Sequence, residues 1–243
     1  MTAAPPAAAG PGTDATSAAR LVQNGLRLSL ASLVALAAVY VMAIRFTPVE
    51  ATQGFAQKIF YLHVPAAWTA LLTFSIVGIV SVLYLWLKDA RLDMFAAASA
   101  EAGVTFSVVM LTTGPLWGKP VWGAWWQWDA RLTLTLFLFF LYVGYLSLRS
   151  ALHEPGERAR LSAVVAILGL VLVPFVHLSV YLFRTIHPLP VVLKPSAPSL
   201  PGSMLQVLLI SLGVHMLLAL GFVLARYGEA RLEAARAEEA LNG

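Results

Sequence analysis

Five tryptophans, Trp117, Trp122, Trp125, Trp126 and Trp128, fall within twelve residues of the segment WGKPVWGAWWQWDARLT. Indole rings offer broad apolar faces that stack on flat aromatic molecules, adding to the free energy of the area they cover. Tryptophan also gathers at the headgroup level of membrane proteins, and such a belt accounts for Trp117 and Trp128. A belt is spread over many helix ends, whereas here the rings are concentrated in one stretch. Gly118, Pro120 and Gly123 supply the turns that fold it into a platform. A large planar ligand suits such a shelf, and haem is the leading candidate.

Haem iron needs axial donors. The chain has no cysteine, which removes thiolate ligands, disulfides and covalent attachment through C-x-x-C-H, and leaves His or Met. His63, in KIFYLHVPAAW, stands just before Pro65, a residue suited to the first turn of a helix. His187, in FRTIHPLP, precedes Pro188, which should end a helix or its short extension. Each alone is equally an interfacial polar anchor. Their shared level with the indoles, on different helices, makes them the paired ligand candidates. Asp129 ends the tryptophan cluster just before the apolar run from Leu132, where it should cap a helix, with direct ligand contact as the alternative.

The other histidines read differently. His153 lies in a charged loop and reads as a solvated surface residue. His177 precedes His187 by ten residues, about 15 Å on a continuous helix, so these two cannot grip one iron from opposite faces. His215 lies mid-run in the sixth apolar segment, where an ionisable group is either packed neutral or functional. A b-type haem between His177 and His215 is the alternative reading, that of a membrane electron carrier; a haem-free scaffold is a third. Haem propionates want cations, and Lys58, Lys119, Arg131, Arg184 and Lys194 share the side of the platform. Arginine pairs bidentately with carboxylates, which favours Arg131 and Arg184, with interface anchoring as their competing role.

The elements that must position these groups are membrane helices. Of 243 residues, 59% are hydrophobic and only 12% charged, and the mean hydropathy is +0.79. Soluble domains carry about a quarter charged residues, so a water-soluble globule is excluded. Six apolar runs, about 26–46, 65–87, 95–116, 131–149, 161–183 and 204–225, each approach the ~20 residues a crossing needs. The expected fold is all-α, a six-helix membrane bundle over 20–226 with the tryptophan loop at 117–130. Residues 1–19, mostly small residues and proline, are expected to be a disordered tail without the pattern of a cleavable signal peptide. Residues 227–243 are expected to be a charged helical extension.

Six crossings place both ends on one side. Ten Lys and Arg residues fall on that side and six on the other, so the positive-inside rule makes both termini cytoplasmic and the tryptophan loop external. Net charge is +4. No Gly-rich phosphate loop and no carboxylate pair suited to acid and base roles is present, which argues against a nucleotide-driven engine and an enzyme, and nothing calls for nucleic acid.

KIFYLHVPAAW, the segment ending in WDARLT and the six-span layout resemble the CcmC family, which handles haem in bacterial cytochrome c maturation system I. The likeness covers roughly residues 45–225. The resemblance implies an inner-membrane protein with a periplasm-facing site that holds b-type haem transiently and non-covalently. His63 and His187 match the family's axial pair, and Trp117, Trp122, Gly123, Trp125, Trp126, Trp128 and Asp129 fall in its porphyrin-contacting loop. It further implies delivery to the haem chaperone CcmE, beside CcmA, CcmB and CcmD. The loop after His187 is unusually proline-rich for that family, and the two terminal segments lie outside the likeness.

Overall fold

Long apolar runs whose ends carry residues able to satisfy open N–H and C=O groups become helices, and six do so in this computed structural model, which describes residues 11–242. They are α1 (Pro11–Phe46), α2 (Phe60–Leu87), α3 (Ala90–Trp122), α4 (Ala130–Ala151), α5 (Pro155–Leu182) and α6 (Gly202–Asn242), with a 3-10 turn at Phe55–Ile59 leading into α2. No strand occurs among the described residues. All six helices are long and apolar enough to cross a membrane. An even number of crossings brings both described ends to one face.

Local chemistry sets the helix ends. Asp89 caps α3 by accepting from Arg91 N, Asp129 caps α4 by accepting from Leu132 N, and Glu154 caps α5 through Gly156 N and Glu157 N. Each carboxylate faces N–H groups that otherwise lack partners. These contacts, with Arg91 beside Asp89, hold the exposed Asp89 and Glu154 carboxyls below their usual range. Gly123, at φ +76°, ends α3 in the left-handed region that glycine enters without strain.

Three boundaries differ from the expectation. First, α1 starts at Pro11, so the tail expected through residue 19 is helical from there on, while residues 1–10 of it lie outside the described residues. Ala18 is fully buried, and a Cβ on Gly228 of α6 would lie 3.0 Å from the Ala18 carbonyl. Asp14 pairs with Arg231 at 3.3 Å. Packing on α6 therefore orders a stretch whose composition alone would not. Second, α3 runs through Pro115 and Pro120 to Trp122, so Trp117 and Trp122 stand on a helix and the loop proper is 123–129. Third, the helical path into α2 begins ahead of Pro65, which puts His63 inside the helix near its outer end.

α2 is the hub, packing on α3, α5 and α6; α4 lies against α5 and α3, and α1 lies along α6. Phe74 of α2 stacks on Tyr142 of α4 at 3.8 Å, and the Tyr142 hydroxyl donates to the Phe74 carbonyl at 3.0 Å. Near the face that carries the chain ends, Arg149 donates twice to Asp93, at 2.6 and 2.9 Å, locking α4 to α3. Small residues bring α1 and α6 into backbone contact, as is common between membrane helices: a Cβ on Gly221 would stand 2.8 Å from Ser29 N.

Candidate functional site

At the face opposite the chain ends, residues of α2, α3, α4 and α5 and of the segment 183–201 come together. Between them lies a cavity of about 350 Å³, within the range of small-molecule sites. Its wall is mainly apolar, and its polar groups come from His63, His177, His187, Gln127, Arg131, Thr135 and three residues of the segment before α2.

His63 is carried by the first turns of α2. Its Nδ1 lies 3.0 Å from Thr113 Oγ1 on α3. That hydroxyl spends its one proton on the Val109 carbonyl at 2.7 Å, so it accepts from His63 Nδ1–H and leaves the Nε2 lone pair free. Gly114 makes room for the ring: a Cβ there would come 3.2 Å from His63 Cε1. Trp117 meets the imidazole edge to face at 5.7 Å and is itself held by its Nε1–H donating to Gln53 at 3.0 Å.

His187 lies beyond the end of α5 in irregular chain. Its Nδ1 donates to the Pro188 carbonyl at 3.0 Å, which again leaves Nε2 as the open donor atom. Burial first, then the Arg131 guanidinium and the His63 ring, lower its pKa from the usual 6.5 to about 4. The imidazole is therefore neutral at any physiological pH. Trp122 flanks it at 6.4 Å.

Asp129 holds these parts in register. Beyond capping α4, its Oδ2 accepts from Ile186 N at 3.1 Å and from the Thr185 hydroxyl, and Thr185 in turn accepts from His187 N at 3.1 Å. The carboxylate is spent on protein donors and does not border the cavity. Its contact is with the segment carrying His187, a pairing with Thr185 across 56 residues that the sequence did not reveal.

Of the sequence-predicted residues, His63, His187, Trp117, Trp122, Trp125 and Trp126 border one cavity, while Gly123, Trp128 and Asp129 do not. Trp128 is exposed and packs edge to face on Trp126 at 5.7 Å. Gly123 serves as the helix end. Among the candidate cations, only Arg131 faces the cavity, with its Nη1 buried and unpartnered. Lys58 is buried and donates to the Thr47 and Pro48 carbonyls, Lys119 donates to the Gly123 carbonyl, and Lys194 pairs with Ser199.

The structure does not bring His177 and His215 together. His177 borders the cavity on α5; His215 is buried on α6, its Nδ1 2.8 Å from the Ser211 carbonyl, away from the cavity lining. The alternative of one haem held by both finds no shared cavity, since His215 does not line the one that His177 borders. Sequence reasoning missed that His177 shares a cavity with the rim histidines. The signal was the end of α5: a helix stopping at Leu182 leaves His177 only five residues inside.

The sequence pattern of the family described as Heme exporter protein C matches residues 9–241. The chain is 36% identical to Heme exporter protein C of Haemophilus influenzae over 81% of this chain and 80% of that protein. It is 36% identical to the Bradyrhizobium diazoefficiens protein of the same name, over 74% and 68% of the two chains. The same identity holds for the Escherichia coli protein of that name over 66% and 65%.

Proposed function

Because this chain belongs to the Heme exporter protein C family, we propose that it binds haem as cargo between His63 and His187 and passes it to the haem chaperone CcmE. The coarser role is that of the family, haem handling in cytochrome c maturation. The finer one rests on a single observation: two histidines from different segments border one indole-walled cavity, each with Nδ1–H engaged and Nε2 open. An occupied Nδ1–H fixes the tautomer and orients the ring for a metal at Nε2.

The donor set fits a metalloporphyrin. Among the described residues no three His, Cys, Asp or Glu side chains cluster for a bare metal ion, and a porphyrin brings its own four equatorial nitrogens. Neutral imidazoles then supply the axial positions of a b-type, non-covalent haem. Trp117, Trp122, Trp125 and Trp126 supply apolar and edge contacts to the macrocycle, and the unpartnered Arg131 offers a cation to a propionate. Trp125 and Trp128 stay exposed beside the opening, where a chaperone reaches the cargo. Binding and release need no bond chemistry from the protein, so the reading is non-enzymatic.

In this reading the chain sits in the bacterial inner membrane, with the basic-rich face and both ends in the cytoplasm and the cavity open to the periplasm. CcmA, CcmB and CcmD are its partners there. Titration of the purified protein with haemin tests the site. The expected wild-type product is six-coordinate and low-spin, and His63→Ala and His187→Ala each convert it to a high-spin species with at least ten-fold weaker retention. Unchanged spectra and retention in both variants would overturn the assignment.

A further inference from the structure

The same cavity holds a third imidazole that the two-ligand site leaves unused. His177 makes no hydrogen bond among the described residues; its nearest ring partner is Tyr181 at 6.4 Å. An ionisable side chain inside a membrane span without a polar partner is costly and is retained for a ligand or a pathway. Its place is specific. Five residues separate it from the end of α5 at Leu182, a depth of roughly 7.5 Å at 1.5 Å per residue.

The cavity is deep enough to reach that level. Its lining follows α2 from Phe60 to Leu71, a distance of roughly 16 Å along the helix. His177 and Val176 of α5 line this cavity together with Leu71 of α2, Met110 of α3 and Arg131 and Thr135 of α4. On the same helix Phe175, Leu178, Tyr181 and Leu182 are exposed on the outer surface of the bundle. His177, half-buried, therefore stands at the border between the lipid-facing strip and the cavity interior. Arg131 lines the same cavity as His63, His177 and His187.

We infer that His177 is an inner axial donor, which holds a metalloporphyrin arriving from the lipid side through one coordinate bond before the rim histidines take it. The inference rests on the haem-binding reading of the cavity and adds a second position to it. The exchange is balanced without any co-reactant: the bond from iron to His177 Nε2 breaks as bonds to His63 and His187 Nε2 form, and the iron keeps its oxidation state. A single bond at the inner position and two at the outer make the movement outward favourable.

Zinc protoporphyrin, which accepts one axial ligand, is the probe. It is titrated into the full-length purified protein in lipid nanodiscs and followed by its absorbance and fluorescence. The His63→Ala/His187→Ala double variant is expected to bind the probe still, with the band of an imidazole-ligated zinc porphyrin. Adding His177→Ala should weaken binding at least ten-fold and abolish that band, and free imidazole should restore it. His177→Gln in the same background keeps a polar side chain of similar bulk, and must show the same loss while eluting and melting like the double variant. Equal binding by the double and triple variants would overturn the inner position while wild-type binding leaves the rim site standing. No probe binding by wild type overturns both.

Discussion

Thr113 holds the tautomer of His63, and at the scale of single residues it makes the most specific prediction. Thr113→Val keeps the shape of the side chain and removes the acceptor of Nδ1–H. Such orienting partners contribute about 10–100-fold in metal affinity, so haemin binding should weaken by that order while the fold melts within a few degrees of wild type. Asp129→Ala differs in kind. It removes the cap of α4, worth roughly 0.5–2 kcal/mol, and also releases the Thr185–His187 segment. The expected result is a lower melting temperature together with loss of the His187 contribution to the haem spectrum. His187 also sets a pH expectation. Burial holds its pKa at about 4, so its neutral, ligating form predominates until the pH falls below that value. Haem retention should stay flat from pH 7.5 to 5.5 as far as His187 governs it, and a midpoint near 6.5 in a retention titration would contradict its buried setting. That the histidine pair and four of the five tryptophans would lie near one another was legible from residue type and spacing, and they border one cavity. The double duty of Asp129 was not, because its partners lie more than fifty residues away and only folding brings them together.

At the scale of elements, the six helices were legible because hydrophobic length alone determines a membrane span. Their ends were not. Pro120 read as a turn residue of the tryptophan loop, yet α3 runs through it as well as through Pro115, since proline in membrane helices is accommodated when neighbouring groups satisfy the freed carbonyls. Trp117 and Trp122 thus gain fixed directions from a helix, which suits a binding wall better than a loop. The bond between α3 and α4 carries a prediction. Asp93 and Arg149 form a bidentate pair with side chains only 12% and 13% exposed. Removing one partner of such a pair costs about 3–5 kcal/mol because the other charge is left buried. Arg149→Met should therefore lower the thermal midpoint sharply, and the Asp93→Asn/Arg149→Met double variant should recover much of the loss. An additive double variant would mean that the two charges are not coupled.

At the scale of the whole molecule, the chain's lack of cysteine makes its orientation open to a clean test. Lys194→Cys, on the cavity face, should react with a membrane-impermeant thiol reagent applied from the periplasm. Arg236→Cys, near the end of α6, should react only after the membrane is opened. The reverse pattern would invert the proposed topology. A final consequence comes from the pairing of α1 with α6. α1 barely touches α2, its neighbour in sequence, and rests on α6 instead. During synthesis, therefore, the first span enters the membrane with its docking surface still untranslated. At about 5–20 residues per second the wait is on the order of ten seconds or more. Chains halted before residue 202 would leave α1 adrift, a marker by which a membrane protease could distinguish unfinished copies from completed ones.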